Sequence, residues 1–223
     1  SEFVGSEGEN VGVSCNGAND GWIDITVTGG TSVYTYIWTN QDGENIDING
    51  VDEGDLIELV AGTYTVLVTD ENGCQATTLV ELTENPELTV EATNSVYGDY
   101  EISCKNAFDG WIDVTAEGGS GNYTYVWTNQ DGENIDINGV DEGDLIELVA
   151  GTYTVLVTDE NGCTETIEVP MTEPEEGVEI SETHSEFVGS EGENVGVSCN
   201  GANDGWIDIT VTGGTSVYTY IWT

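Results

Sequence analysis

The chain has 223 residues, of which 44 are acidic and one, Lys105, is basic; with a single histidine, His184, the formal net charge is −43. Such a charge excludes nucleic acid and anionic membrane as partners, since both repel it at every approach. Ten Tyr, six Trp and a 37% hydrophobic fraction supply enough apolar material for packed cores, so the acidity does not by itself imply disorder.

Internal repetition dominates the order of the sequence. Residues 1–39 return letter for letter at 185–223, and residues 39–74 return at 128–163. A unit of about 90 residues thus occurs in two flavours, and the pair itself recurs. The expected divisions are 1–85, a first repeat entered after its start, then 86–173, a second, and 174–223, a third that stops partway. Pro86 and Pro174 mark the joints, because proline donates nothing to a sheet ladder. The third copy is expected to stop after its third strand, so the sequence reads as a window on a longer array.

Each unit alternates with period two, the signature of half-buried strands. In "WIDITVT" (22–28), Ile23, Ile25 and Val27 share one face, and Trp22, Asp24 and Thr26 the other. In "VYTYIWT" (33–39), Tyr34, Tyr36 and Trp38 align. In "GTYTVLVTD" (62–70), Tyr64, Val66 and Val68 point together. After Cys74, Val80 and Leu82 align, matched by Val169 and Met171 in the second copy. Ahead of Cys104, Leu88, Val90 and Ala92 do the same. Gly/Asn/Asp stretches ("GGTS", "NQDGEN", "VDEGD", "DENG") separate these runs as turns. No helical period competes.

About seven strands in roughly 90 residues fit an immunoglobulin-like antiparallel β-sandwich, so the expected fold class is all-β, a tandem array of such domains. Leu59 to Tyr64 and Leu148 to Tyr153 read "LVAGTY", the pattern of a tyrosine corner. Trp38 falls where a core Trp of the third strand would sit.

Five cysteines occur, at 15, 74, 104, 163 and 199. In a sandwich the first and last strands lie side by side, which predicts Cys15–Cys74 and Cys104–Cys163 bridges; the alternative is buried free thiols. A loop of that size contributes about 4 kcal/mol in the chain-entropy account. No Cys/His cluster suits zinc.

The string Cys-Asn-Gly-x-x-Asp-Gly-x-Ile-Asp, followed by Thr-Gly-Gly, Tyr-Thr-Tyr-x-Trp and Ala-Gly-Thr-Tyr-Thr-Val-x-Val-Thr-Asp-x-Asn-Gly-Cys, closely resembles the SprB repeat. "CNGANDGWIDITVTGG", "YTYIWTN" and "LVAGTYTVLVTDENGC" carry the match. The resemblance implies a very large cell-surface adhesin filament of gliding Bacteroidetes, anchored at the outer membrane. It also implies export by the type IX system and movement by the gliding machinery while the filament grips a substratum. Neighbouring repeats of the same chain, and a polysaccharide or other surface, are the partners so implied.

Other chemistry has less support in the sequence. Catalysis is not expected: the lone His184 lies in a linker, and carboxylate pairs arise from composition alone. No cofactor is required, although Ca²⁺ suits the Gly-rich acidic stretch holding Asp42, Glu44, Asp47, Asp52, Glu53 and Asp55. That stretch recurs at Asp131, Glu133, Asp136, Asp141, Glu142 and Asp144. Calcium takes six to eight oxygens from such loops, yet the spacing departs from an EF-hand, and a diffuse counterion cloud is the competing reading. Trp22, Trp111 and Trp206 fall on the solvent face of their strands. They suit either packing on a neighbour or a contact surface for a glycan or partner. The expected function is therefore a stalk segment of an adhesin filament, with a glycan- or ligand-binding module using those Trp faces as the alternative.

Overall fold

The computed structural model describes residues 3–5, 10–46, 54–135, 143–191, 193–215 and 217–223, and every regular element among them is a strand. The first copy supplies β1 (Phe3–Val4), β2 (Asn10–Val11), β3 (Gly21–Asp24), β4 (Thr35–Thr39), β5 (Asp55–Leu59), β6 (Gly62–Thr69) and β7 (Gln75–Leu82). The second supplies β8 (Thr89–Asn94), β9 (Gly110–Glu117), β10 (Thr124–Thr128), β11 (Asp144–Leu148), β12 (Gly151–Thr158) and β13 (Thr164–Met171). The third supplies β14 (Glu179–His184), β15 (Phe187–Val188), β16 (Asn194–Val195) and β17 (Ile207–Thr212).

The same two sheets recur. In the first copy β3 pairs with β5, and β6 lies between β4 and β7. In the second, β9 lies between β11 and β8, and β12 between β10 and β13. Strands β1 and β2, β3 and β5, β4 and β6, and β6 and β7 pair antiparallel, with Trp38 opposite Val66 and Tyr64 opposite Val80. This is the all-β, immunoglobulin-like sandwich expected from the alternation.

Side-chain alternation decides which faces meet. Ile23 of β3, Leu56 and Leu59 of β5, Trp38 of β4, Tyr64 and Val66 of β6 and Leu82 of β7 form one buried cluster. Ile25, Tyr36, Val68 and Val80 extend it at lower burial. The tyrosine corner closes as expected: Tyr64 Oη donates to the Val60 carbonyl at 2.8 Å, and Tyr153 Oη to Val149 at 3.0 Å.

One departure from period two matters. Leu56 and Leu59 are both buried although three residues apart, with Ile57 and Glu58 exposed between them. The pairing of β3 with β5 slips there, Gly21 facing Leu59 and Ile23 facing Leu56. Glu58 takes φ 57°, and Glu147, its counterpart in β11, φ 56°. This is a β-bulge with its extra residue in the left-handed region, which turns the second leucine back to the core.

The chain gathers into two compact units. One comprises Ser1–Glu91, Val114–Trp127 and Val155–Ile167; the other comprises Ala92–Asp113, Thr128–Thr154 and Glu168–Thr223. The first unit therefore holds the whole first copy together with two stretches of the second. In the third copy β14 pairs with β17, and β15 with β16. No described strand covers the far side of that copy: Trp222 is 65% exposed where Trp38, in identical sequence, is 3% exposed.

These burial differences predict a graded response to truncation. Leu56→Ala should cost about 2–5 kcal/mol in chemical unfolding, whereas Leu79→Ala, on the exposed face of β7, should cost under about 0.5 kcal/mol. Equal losses would contradict the assignment of faces.

Candidate functional site

The residues with the most developed geometry lie in the loops at the ends of the strands. With one lysine in the chain, a buried carboxylate finds its partners among backbone N–H groups. Asp70, at the end of β6, accepts from Thr31 N at 2.9 Å, Asn72 N at 3.0 Å and Cys74 N at 2.7 Å. Asp159, after β12, accepts from Ser120 N at 2.8 Å, Asn161 N at 3.0 Å and Cys163 N at 2.8 Å. Backbone bonds close each loop further, Asp70 N to Cys74 O and Asp159 N to Cys163 O. The "DENGC" loop is thus a rigid turn built on one aspartate.

The "GG" ahead of each clamp has a reason in the second copy. Gly118 has φ 82°, and a Cβ there would stand 1.9 Å from the Glu87 carbonyl oxygen. Gly119 N donates to Pro86 O at 2.9 Å, so the glycine pair lets the linker pass directly over the turn.

Inside the first unit, the Asp159–Cys163 loop seats on the opening segment of the first copy. Asn161 Nδ2 donates to Val4 O at 2.9 Å and to Ser14 O at 3.0 Å, while its Oδ1 accepts from Val4 N at 3.1 Å. Asn85 Nδ2 also donates to Val4 O at 2.9 Å. Beside them Cys15 and Cys163 form a disulfide, their Cα atoms 5.7 Å apart, a spacing that suits a bridge.

This corrects the pairing read from the sequence. Cys15 joins Cys163, not Cys74, and Cys104 is not joined to Cys163; Cys74, Cys104 and Cys199 are free and exposed. The physical reason is that the closing loop of the second copy reaches the opening turn of the first through the Asn161 fork. The adjacency of first and last strands within one copy does not set the pairing.

The acidic stretches after β4 and β10 are described only in part. Asp47, Asp52, Glu53, Asp136, Asp141 and Glu142 lie outside the described residues. Asn40 organises the described part: its Oδ1 accepts from Asp42 N and Glu44 N, and its Nδ2 donates to Glu44 Oε2. Asn129 does the same with Asp131 and Glu133. Asp55 and Asp144 open β5 and β11 and are half-buried. Among the described residues, no three His, Cys, Asp or Glu side chains come together as a metal site.

Trp22, Trp111 and Trp206 are 50%, 40% and 53% exposed. Lys105 Nζ donates to the Glu175 carbonyl. The Glu182 hydrogen bond at 2.7 Å lifts the His184 pKa above its ordinary value. His184 lies on the exposed strand β14, with the carboxylates of Glu182 and Glu186 beside its ring. No described helix is long and apolar enough to cross a membrane.

Residues 11–43, 101–132 and 195–223 match the SprB repeat family model. No curated protein sequence matches the chain. Among solved structures the chain is similar to the amphioxus IgVJ-C2 molecule, at 16% identity over 72% of this chain and 99% of that one, with a TM-score of 0.33. It is also similar to the fibronectin(III)-like modules of Clostridium thermocellum CbhA, at 16% identity over 78% and 90%, with a TM-score of 0.30. Domains 3–5 of Drosophila OTK give 18% identity over 76% and 58%, with a TM-score of 0.33.

The aspartate clamps predict an acid sensitivity of definite sign. The Thr31 N–H first, then that of Cys74, hold Asp70 below its ordinary value of 3.8. For Asp20, desolvation pushes up, but the Ser14 hydroxyl and N–H outweigh it and the net shift is downward. A depressed carboxylate adds stability that is fully present above the unfolded value and is lost as pH falls through the folded value. The melting temperature of Asp70→Asn, measured against the parent chain, should therefore show its deficit in full at about pH 6 and lose it progressively as pH falls below the ordinary value of 3.8. A deficit unchanged at low pH would contradict the clamp.

Proposed function

Because three stretches of this chain match the SprB repeat family model, we propose that it is a structural stalk segment of a long cell-surface adhesin filament, one that mediates attachment while the cell glides. The observation that carries this reading is that successive copies build the same two sheets on the same buried residues, Trp38 matched by Trp127 and Leu56 by Leu145. Length in such an array grows by adding copies, each needing only its neighbours.

The charge serves the same end. Like charges on neighbouring copies repel within the Debye length of about 8 Å at physiological salt, which favours extension and keeps adjacent filaments apart. In this reading the filament is anchored at the outer membrane, leaves the cell by the type IX route and is moved by the gliding machinery. A polysaccharide or another surface is its substratum. The stalk requires no cofactor; Ca²⁺ held by the acidic stretches after β4 and β10 would stiffen it.

A second reading has one specific observation in its favour. Trp22, Trp111 and Trp206 present half-exposed rings at equivalent places in three copies, and exposed aromatic rings suit sugar faces. A glycan array probed with the full chain separates the two. A stalk gives no glycan-specific binding. Binding that disappears in a chain with all three tryptophans changed to alanine would replace the stalk reading with a glycan-binding one.

A further inference from the structure

The Cys15–Cys163 bridge joins the cysteine that opens the first copy to the cysteine that closes the second. Both halves of this joint recur elsewhere in the chain with the same geometry. The closing half is the "DENGC" loop, and Asp70–Cys74 has the sequence and the aspartate clamp of Asp159–Cys163. The hydrogen bonds on each carboxylate agree within 0.1 Å, 2.9, 3.0 and 2.7 Å against 2.8, 3.0 and 2.8 Å.

The opening half recurs three times. Ser14 N donates to Asp20 Oδ1 at 3.0 Å, Ser103 N to Asp109 at 3.2 Å and Ser198 N to Asp204 at 3.1 Å. Ala18, Ala107 and Ala202 N–H groups then close the turn onto the carbonyls of Cys15, Cys104 and Cys199 at 3.0, 3.0 and 2.9 Å. The residue after Asn16, after Lys105 and after Asn200 has positive φ in each case: Gly17 69°, Asn106 59°, Gly201 83°. Each opening cysteine is therefore held in the same turn, and each unbridged one is exposed.

A further observation concerns the second unit. There the Gly214–Thr215 turn of the third copy lines a pocket with Tyr97, Gly98, Asp99 and Tyr100 from the opening segment of the second. Thr215 corresponds to Thr31 and Ser120, whose N–H groups hold the clamp aspartates. The seat for a closing loop thus lies beside the opening segment of the copy before it, as in the first unit.

We propose that the bridge is one rung of a periodic ladder, in which the opening cysteine of each SprB copy is bonded to the closing cysteine of the copy that follows it. Cys104 is then the site for the closing cysteine of a following copy, and Cys74 for the opening cysteine of a preceding one. The partner of each exposed thiol is a neighbouring copy of the same repeat, recognised by an Asn fork of the kind Asn161 makes to Val4 and Ser14. The proposal goes beyond the stalk reading and is independent of what the filament attaches to.

The chemistry is thiol–disulfide exchange with a disulfide oxidant. One thiolate attacks the oxidant to give a mixed disulfide, and the second thiolate displaces the remaining half. Two protein thiols become one disulfide, and the oxidant leaves as two thiols carrying the two electrons and two protons. A bridge of this kind ties one copy to the next without loading the linker between them.

The test is disulfide mapping after refolding in a glutathione redox buffer and alkylation of free thiols. In the full chain, Cys15 should be linked to Cys163, with Cys74, Cys104 and Cys199 alkylated. In a longer chain made by joining residues 1–184 in register to a second full copy, Cys104 of the first copy should also be linked to Cys74 of the second. Cys15→Ser should leave Cys163 alkylated, with no new link to Cys104. A Cys15–Cys74 or Cys104–Cys163 link in the full chain, or an alkylated Cys104 in the first copy of the longer chain, overturns the proposal. None of these outcomes depends on glycan binding, so this test and the glycan array can fail separately.

Discussion

A chain with one basic side chain must satisfy its buried carboxylates from the backbone, and much of this structure depends on that constraint. Asp70 and Asp159 lie where β6 and β12 end, and each collects three N–H groups. Two of the three come from its own loop and the third from the Gly-Gly turn, so one carboxylate fixes two loops against each other. Hydrogen bonds to an ionised acceptor are stronger than neutral ones. They are also rigid, because backbone donors have no rotamers to lose. An Asp–Lys pair would give the charge a partner without shaping the loop. Here the partner and the loop are the same atoms, so the position of Asn161 and Cys163 follows from Asp159.

The same economy runs through the opening turns, where Asp20, Asp109 and Asp204 each hold a serine N–H. Much of the acidity is nonetheless solvent-facing and acts through mutual repulsion. The sequence thus separates two uses of one residue type: a few aspartates are structural acceptors, and the many others form a charged coat. The buried cluster around Trp38 supplies the hydrophobic drive, at roughly 25 cal/mol per Å² of apolar surface removed from water.

Much of this was legible in the residues. The alternation in "WIDITVT", "VYTYIWT" and "GTYTVLVTD" gave the faces that are buried. The "LVAGTY" pattern gave the Tyr64 and Tyr153 hydrogen bonds, and Trp38 lies in the core as read. The "DLIEL" strand was not legible in the same way, because a bulge at Glu58 breaks period two and nothing in the five letters signals the left-handed residue. The cysteine pairing escaped for a different reason. Alternation within one copy says which strands adjoin inside that copy, whereas the bridge depends on how the Asp159–Cys163 loop seats on Val4 and Ser14. The signal that could have suggested it is the asparagine of "DENGC", an amide able to pair with an extended backbone in the way Asn161 does.

We propose that each of the first two copies folds on its own pair of sheets, as β modules strung along one chain. Pulling the full chain by its ends with single-molecule force spectroscopy, in reductant so that no bridge contributes, tests it most directly. Two discrete unfolding events are predicted, each releasing about 300 Å of chain, the extended length of one roughly 90-residue copy. A smooth extension without steps, or one event releasing the whole chain together, would contradict it.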